Sequence, residues 1–164
     1  LKTKIDIINK LPNEAILKKS KHHLIILDLK TSKFPFEALL KNKLKRLGKK
    51  IDDLTKNSVT TELDNGSIIS WVAWSNDLSV FKLHTLLRKS LAILLKENPA
   101  EISISFFGAA NNNQWIESST YVVLTNSQSL PDLKKSAKKT ILKRLCLMGI
   151  SKRSLSKTIA AVNG

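Results

Sequence analysis

Apolar positions along this chain switch repeatedly between two periods, and the switches mark alternating strands and helices. The pattern is densest between Ser58 and Gly108. There SVTTEL and SIISWVAW are two β-rich runs separated by Asp64, Asn65 and Gly66. Asn-Gly between such runs predicts a hairpin, because both residues tolerate positive φ. Val59, Thr61 and Leu63 share one face of the first run. In the second, Ile68, Ser70, Val72 and Trp74 alternate with Ile69, Trp71 and Ala73, so it is apolar on both faces, as expected of a strand covered on both sides. Leu83, Leu86, Leu87, Ser90, Leu91, Leu94 and Leu95 then recur at helical spacing. They predict a long helix over 79–98, capped by Ser79 or Asp77 and ended by Asn98-Pro99. EISISFFG, residues 101–108, returns to the short apolar period of a buried strand.

The flanking segments extend the alternation. Residues 1–21 are mixed and lysine-rich, broken by Pro12, and read as mostly irregular apart from a strand near Lys4–Ile8. HHLIILDLK, residues 22–30, is a buried strand. FPFEALLKNKLKRLGKK follows, with Pro35 suited to a first helical position and Phe36, Leu39, Leu40, Leu44 and Leu47 on one face. Gly48 and two lysines end that helix. The run AANNNQWIESSTYVVLTNSQ fits a helix, with Trp115, Ser119, Val122 and Val123 on one face, although 121–125 alone has strand character. Residues 141–149 predict a further strand, and 151–164 a short helix. The order is β-α-ββ-α-β-α-β-α. It implies an α/β layered sandwich whose mixed, mostly parallel sheet carries one antiparallel hairpin.

Composition narrows the class only a little. A chain of 164 residues is long enough for one domain with a real core. Neither an apolar run near the ~20 residues of a bilayer span nor a secretory leader is present in the sequence given. One cysteine, Cys146, excludes an internal disulfide framework and fits a reducing, cytoplasmic setting. The first residue is Leu, which suggests a trimmed chain or a piece of a longer one. Lys and Arg total 28 against 13 acidic residues, a formal net charge of +15. That balance suits phosphates, anionic membranes or acidic protein surfaces. The strong preference for lysine over arginine suits plain solvation instead, since base-reading surfaces rely on bidentate arginine.

Chemistry is hard to find. His22 and His23 are adjacent on a strand and must point to opposite faces. His84 lies on the long helix without an evident partner and reads as a packing residue. Cys146 sits inside an apolar strand, where burial makes a thiol inert. Asp52 and Asp53 are adjacent carboxylates suited to capping a turn. No phosphate-cradling glycine motif and no nucleophile elbow occurs. Gly108 stands at a strand-to-helix junction, the kind of turn that can hold an anion in open α/β sheets. The basic clusters 41–50, 134–144 and 152–157 lack interleaved aromatics for base stacking, and Trp71, Trp74 and Trp115 read as core. No catalytic, cofactor-binding or metal-binding residue is assigned from the sequence.

FPFEALLKNKLKR, SVTTELDNGSIISWVAW, HTLLRKSLAILLKENP and EISISFFG, in this order, resemble the N-terminal domain of the leucyl aminopeptidase family of cytosolic metallopeptidases. ILKRLCLMGI and the small-residue run ending AAVNG resemble that family's bridge into its catalytic domain. The resemblance covers the chain from about His22 onward. It implies a macro-domain-like fold over 22–150, and a segment 151–164 leading toward a C-terminal domain. That later domain would hold two divalent metals, zinc or manganese, bound by Asp, Glu and Lys, and would assemble as a hexamer. The parent protein would be a metal-dependent aminopeptidase, and this chain alone a non-catalytic part serving assembly or regulation. Two other readings stay open. One is a basic module binding nucleic acid, including non-specific DNA. The other is a macro-like small-ligand domain using the Gly108 turn. No membrane partner is expected.

Overall fold

A computed structural model describes residues 3–108, 113–127 and 141–155. A six-stranded sheet organises it, with strands β1 (Lys4–Ile8), β2 (His22–Asp28), β3 (Val59–Glu62), β4 (Ile68–Trp74), β5 (Glu101–Phe107) and β6 (Arg144–Met148). Their order across the sheet is β1-β6-β5-β2-β4-β3. All neighbours are parallel except β3 and β4, the antiparallel hairpin read from Asn65-Gly66. Gly66 alone takes positive φ there. Asn65 works through its side chain, accepting from the Ser67 amide at 3.1 Å and donating to the Lys18 carbonyl at 2.8 Å.

Helices cover both faces, which is why the central strands are apolar on both sides. On one face, Leu83, Leu86, Leu87, Leu91 and Leu94 of α3 (Val80–Leu95) meet Trp115, Ile116, Val122 and Val123 of α4 (Asn113–Ser127). Both sets pack on Leu24, Ile26, Val72, Ile104 and Leu147 of the sheet. Ser79 caps α3, accepting from the Lys82 amide at 3.3 Å. On the other face, Leu17 of α1 (Glu14–Lys19), Leu40 and Leu44 of α2 (Glu37–Arg46) and Leu54 cover Ile25, Leu27, Ile69 and Trp71. Leu54 belongs to a short 3-10 helix, Ile51–Thr55. Each fully buried leucine contributes roughly 1.5–3 kcal/mol of transfer free energy.

Several local expectations change. Residues 1–21 contain the strand β1 but also α1, whose start is capped by Asn13 accepting from the Ile16 amide at 2.9 Å. Pro35 is not the first helical residue: α2 begins at Glu37, and Phe36 precedes it at φ 59°. The Phe36 amide donates to Glu14 Oε1 at 3.2 Å, so the entry into α2 is tied to α1. Leu47, expected on the apolar face, lies past the end of α2 and is exposed. The long helix, expected to run to Asn98, ends at Leu95 with Lys96 as its cap, and Asn98 beyond it takes the left-handed region at φ 52°. The basic cluster at 134–140 and most of the helix expected over 151–164 lie outside the described residues; what is described there is a 3-10 turn, Lys152–Ser154.

Candidate functional site

Sheet register gathers the polar candidates that the sequence leaves scattered. Asp6, Cys146, Ser103 and His23 are successive lateral partners on β1, β6, β5 and β2, so they form one row across one face. Ser105 lies two residues further along β5, on the same face. His23 Nε2 is 2.8 Å from Ser105 Oγ, and Ser20 Oγ donates to Ser103 Oγ at 3.0 Å. Sequence reasoning finds His23 and Cys146 but not the serines. In a parallel sheet only the register, a long-range property, shows that Ser103 and Ser105 stand beside them.

Burial decides what this row can do. His23, Ser103, Ser105 and Cys146 are each buried, with at most 2% of their surface exposed. Burial lowers the His23 pKa to about 3, so the ring is neutral at physiological pH. The geometry supplies the reason: Nδ1 has no hydrogen-bond partner among the described residues, so a second ring proton would have no acceptor. The Cys146 thiol is pushed up by burial, with Arg144 opposing in part. A neutral imidazole and an un-ionised thiol in a sealed sheet face form a structural seam rather than a nucleophile and its base. The row turns charged only at its rim. There Arg144 donates to Asp6 and lies 3.3 Å from Glu101, and the Arg144 hydrogen bond holds the Asp6 carboxyl below its ordinary range.

The other candidates separate. His22 faces away from His23, with Nε2 2.6 Å from Glu97 Oε2. His84 Nε2 is 3.1 Å from Ser118 Oγ, and its ring centroid is 5.7 Å from that of Tyr121, joining α3 to α4. Asp53 accepts from the Lys50 amide at 2.9 Å and so caps the 3-10 helix. Trp71 and Trp115 are core. Among the described residues, no group of three or more His, Cys, Asp or Glu side chains is placed to hold a metal ion. No described helix is long and apolar enough to cross a membrane.

Gly108 lies between the ends of β5 and β2. The connections from these strands lead off in opposite directions, the place where open sheets bind ligands. Here the turn after β2 packs closely against Gly108. A Cβ on Gly108 would stand 2.4 Å from Thr31 Oγ1 and 2.7 Å from Asp28 Cβ. The Thr31 amide donates to the Asp28 carbonyl at 2.9 Å, and the Lys30 amide to Asp28 Oδ1 at 2.9 Å. Gly108 therefore serves close packing of two turns.

Of the basic clusters, residues 45–50 are all exposed at the end of α2. Lys41 pairs with Glu37 on the helix surface, and Lys43 donates to the Thr60 carbonyl on the outer strand β3. Burial, then Arg46, lowers the Lys43 pKa.

No protein-family profile matches this chain, and no curated protein matches it. Solved structures do. A lysine-to-glutamate variant of tomato leucine aminopeptidase aligns with a TM-score of 0.58 at 19% identity, over 98% of this chain and 36% of its own. The chain thus spans about a third of that protein's length. At this identity the likeness is one of fold: a mostly parallel six-stranded sheet with one antiparallel pair and helices on both faces.

Proposed function

We propose that this chain is the non-catalytic N-terminal domain of a leucyl aminopeptidase-like metallopeptidase, serving its assembly or regulation. The observation that carries the reading is the asymmetry of the structural likeness: nearly all of this chain, but 36% of the aminopeptidase, is matched. On this reading the removal of N-terminal amino acids from peptides, the two divalent metals and hexamer formation belong to a following catalytic domain. The setting is the cytoplasm. This chain contributes an α/β body whose polar seam is buried, and whose Gly108 packs against its own turn after β2.

The test has two arms. The 164-residue chain, supplied with manganese or zinc, is expected to leave leucine p-nitroanilide intact; metal-dependent turnover by it would overturn the reading. The longest product of the coding sequence is expected to hydrolyse the same substrate and to lose that activity to a chelator. A coding sequence with no metal-ligand set of Lys, Asp and Glu beyond Gly164 would also sink it.

A further inference from the structure

The outer surface of α3 and α4 joins aromatic rings to uncompensated positive charge. Along Val80–Leu95, α3 carries Lys82, His84, Arg88 and Lys89 and no carboxylate. Lys96 follows at its end. Lys82, Arg88, Lys89 and Lys96 make no ion pair with any described residue. Phe81 is 80% exposed, and the core stripe of α3 does not use it. It lies one helical turn before His84 and two before Arg88, so the three line one side of α3. Across the helix pair, Tyr121 is 48% exposed and its ring tilts 35° against that of His84. His84 Nε2 lies 3.1 Å from Ser118 Oγ, so His84 joins α3 to α4 beside Tyr121. Glu117, one turn before Tyr121, is the carboxylate that α4 brings to this side.

We propose that this face binds single-stranded nucleic acid, with bases stacked on Phe81 and Tyr121 and phosphates held by Arg88, Lys89 and Lys82. An exposed ring offers a flat apolar surface to any base, so stacking needs no sequence, whereas a duplex keeps its base faces covered. The cations supply the long-range attraction, and the net charge of +15 reinforces it. The exposed lysines and arginine in and just after the last turn of α2, Lys45, Arg46, Lys49 and Lys50, form a second basic surface, flanked by the exposed Leu47 but by no exposed aromatic among the described residues. That surface serves as the charge-only comparison. The proposal does not depend on the aminopeptidase reading.

Fluorescence anisotropy tests it, using a labelled oligothymidylate of about 20 nucleotides, its RNA counterpart and a duplex of the same length across a salt series. The single strands are expected to bind more tightly than the duplex. Phe81→Ala/Tyr121→Ala should weaken them by at least about tenfold with the salt slope unchanged. Phe81→Trp should retain binding. Arg88→Ala should reduce the slope by about 0.7. Lys45→Ala/Lys49→Ala should change affinity by less than about twofold. Both aromatic positions are exposed, so circular-dichroism melts of the alanine variants should match the parent chain. No binding at low salt overturns the proposal. So does duplex binding as tight as single-strand binding, or an aromatic double variant that binds like the parent. Self-association in sedimentation that Phe81→Ala abolishes would assign the patch to a second copy instead, and overturn it equally.

Discussion

His23 and Ser105 stand on adjacent parallel strands with Nε2 and Oγ 2.8 Å apart, and neither side chain reaches solvent. The burial of that ring makes the fold sensitive to acid. The folded ring has its pKa pushed down to about 3, against an ordinary 6.5 in the unfolded chain, so between these values the unfolded state binds the extra proton. The stabilisation is complete above pH 6.5 and falls as pH drops, approaching about 1.4 kcal/mol per pH unit inside that window. Urea unfolding at several pH values should show this loss. His23→Leu should be less stable than the parent at pH 7, and the gap should narrow towards pH 4.

Ser105→Ala and Ser90→Ala remove equally buried hydroxyls with opposite expected results. Ser105 is a partner of a buried ring, and its loss leaves His23 Nε2 unsatisfied, at about 1–3 kcal/mol. Ser90 only returns a hydrogen bond to the Leu86 and Leu87 carbonyls of its own helix, at 2.8 and 3.1 Å. Alanine there loses no tertiary partner and gains helix propensity, so stability should stay within about 0.5 kcal/mol of the parent. Paired denaturant curves measure both.

Two glycines with similar φ angles separate backbone strain from steric overlap. Gly48, at φ 65°, has nothing within 4 Å of an added Cβ, so Gly48→Ala should cost only about 1 kcal/mol of left-handed strain. Gly108, at φ 77°, adds overlap with Thr31 and Asp28, and Gly108→Ala should cost more than about 2 kcal/mol. Thermal melts of the two variants give the comparison directly; equal losses would show that the two turns separate readily.

Cys146 should behave as a reporter of opening. Its thiol is buried and pushed up in pKa, so native protein should react slowly with a disulfide reagent and unfolded protein at once. A fast native reaction would mean that the β1–β6 edge opens easily.

Local pattern made the hairpin, α3 and β5 legible, because each is set by period and by punctuation within a few residues. The helix Asn113–Ser127 was readable for the same reason, although its strand-like 121–125 run competes. α1 was not: one buried leucine, Leu17, in six residues carries no periodic signal, and the helix is held by the Asn13 cap and by its neighbours. The start of α2 depends on Glu14, 22 positions away, reaching the Phe36 amide, which no local rule contains. Individual polar residues were visible, but their grouping was not. Ser105 beside His23, and Tyr121 beside His84, are products of register and helix packing across 82 and 37 positions respectively.

Thr3 Oγ1 donates to the Leu142 carbonyl at 2.8 Å, 139 positions along the chain, and the Lys4 amide donates to the Lys143 carbonyl at 2.8 Å. The first of the described strands is thus completed by the last. At ribosomal speeds, roughly 7–28 s separate their synthesis, during which β1 has no neighbour to pair with. Its alternating charges, Lys4 and Asp6 between Ile5 and Ile7, then keep a waiting edge soluble. The same closure places residues 3 and 142 side by side at the matching ends of two parallel strands, so a chain stopped before residue 144 would leave β1 without its partner.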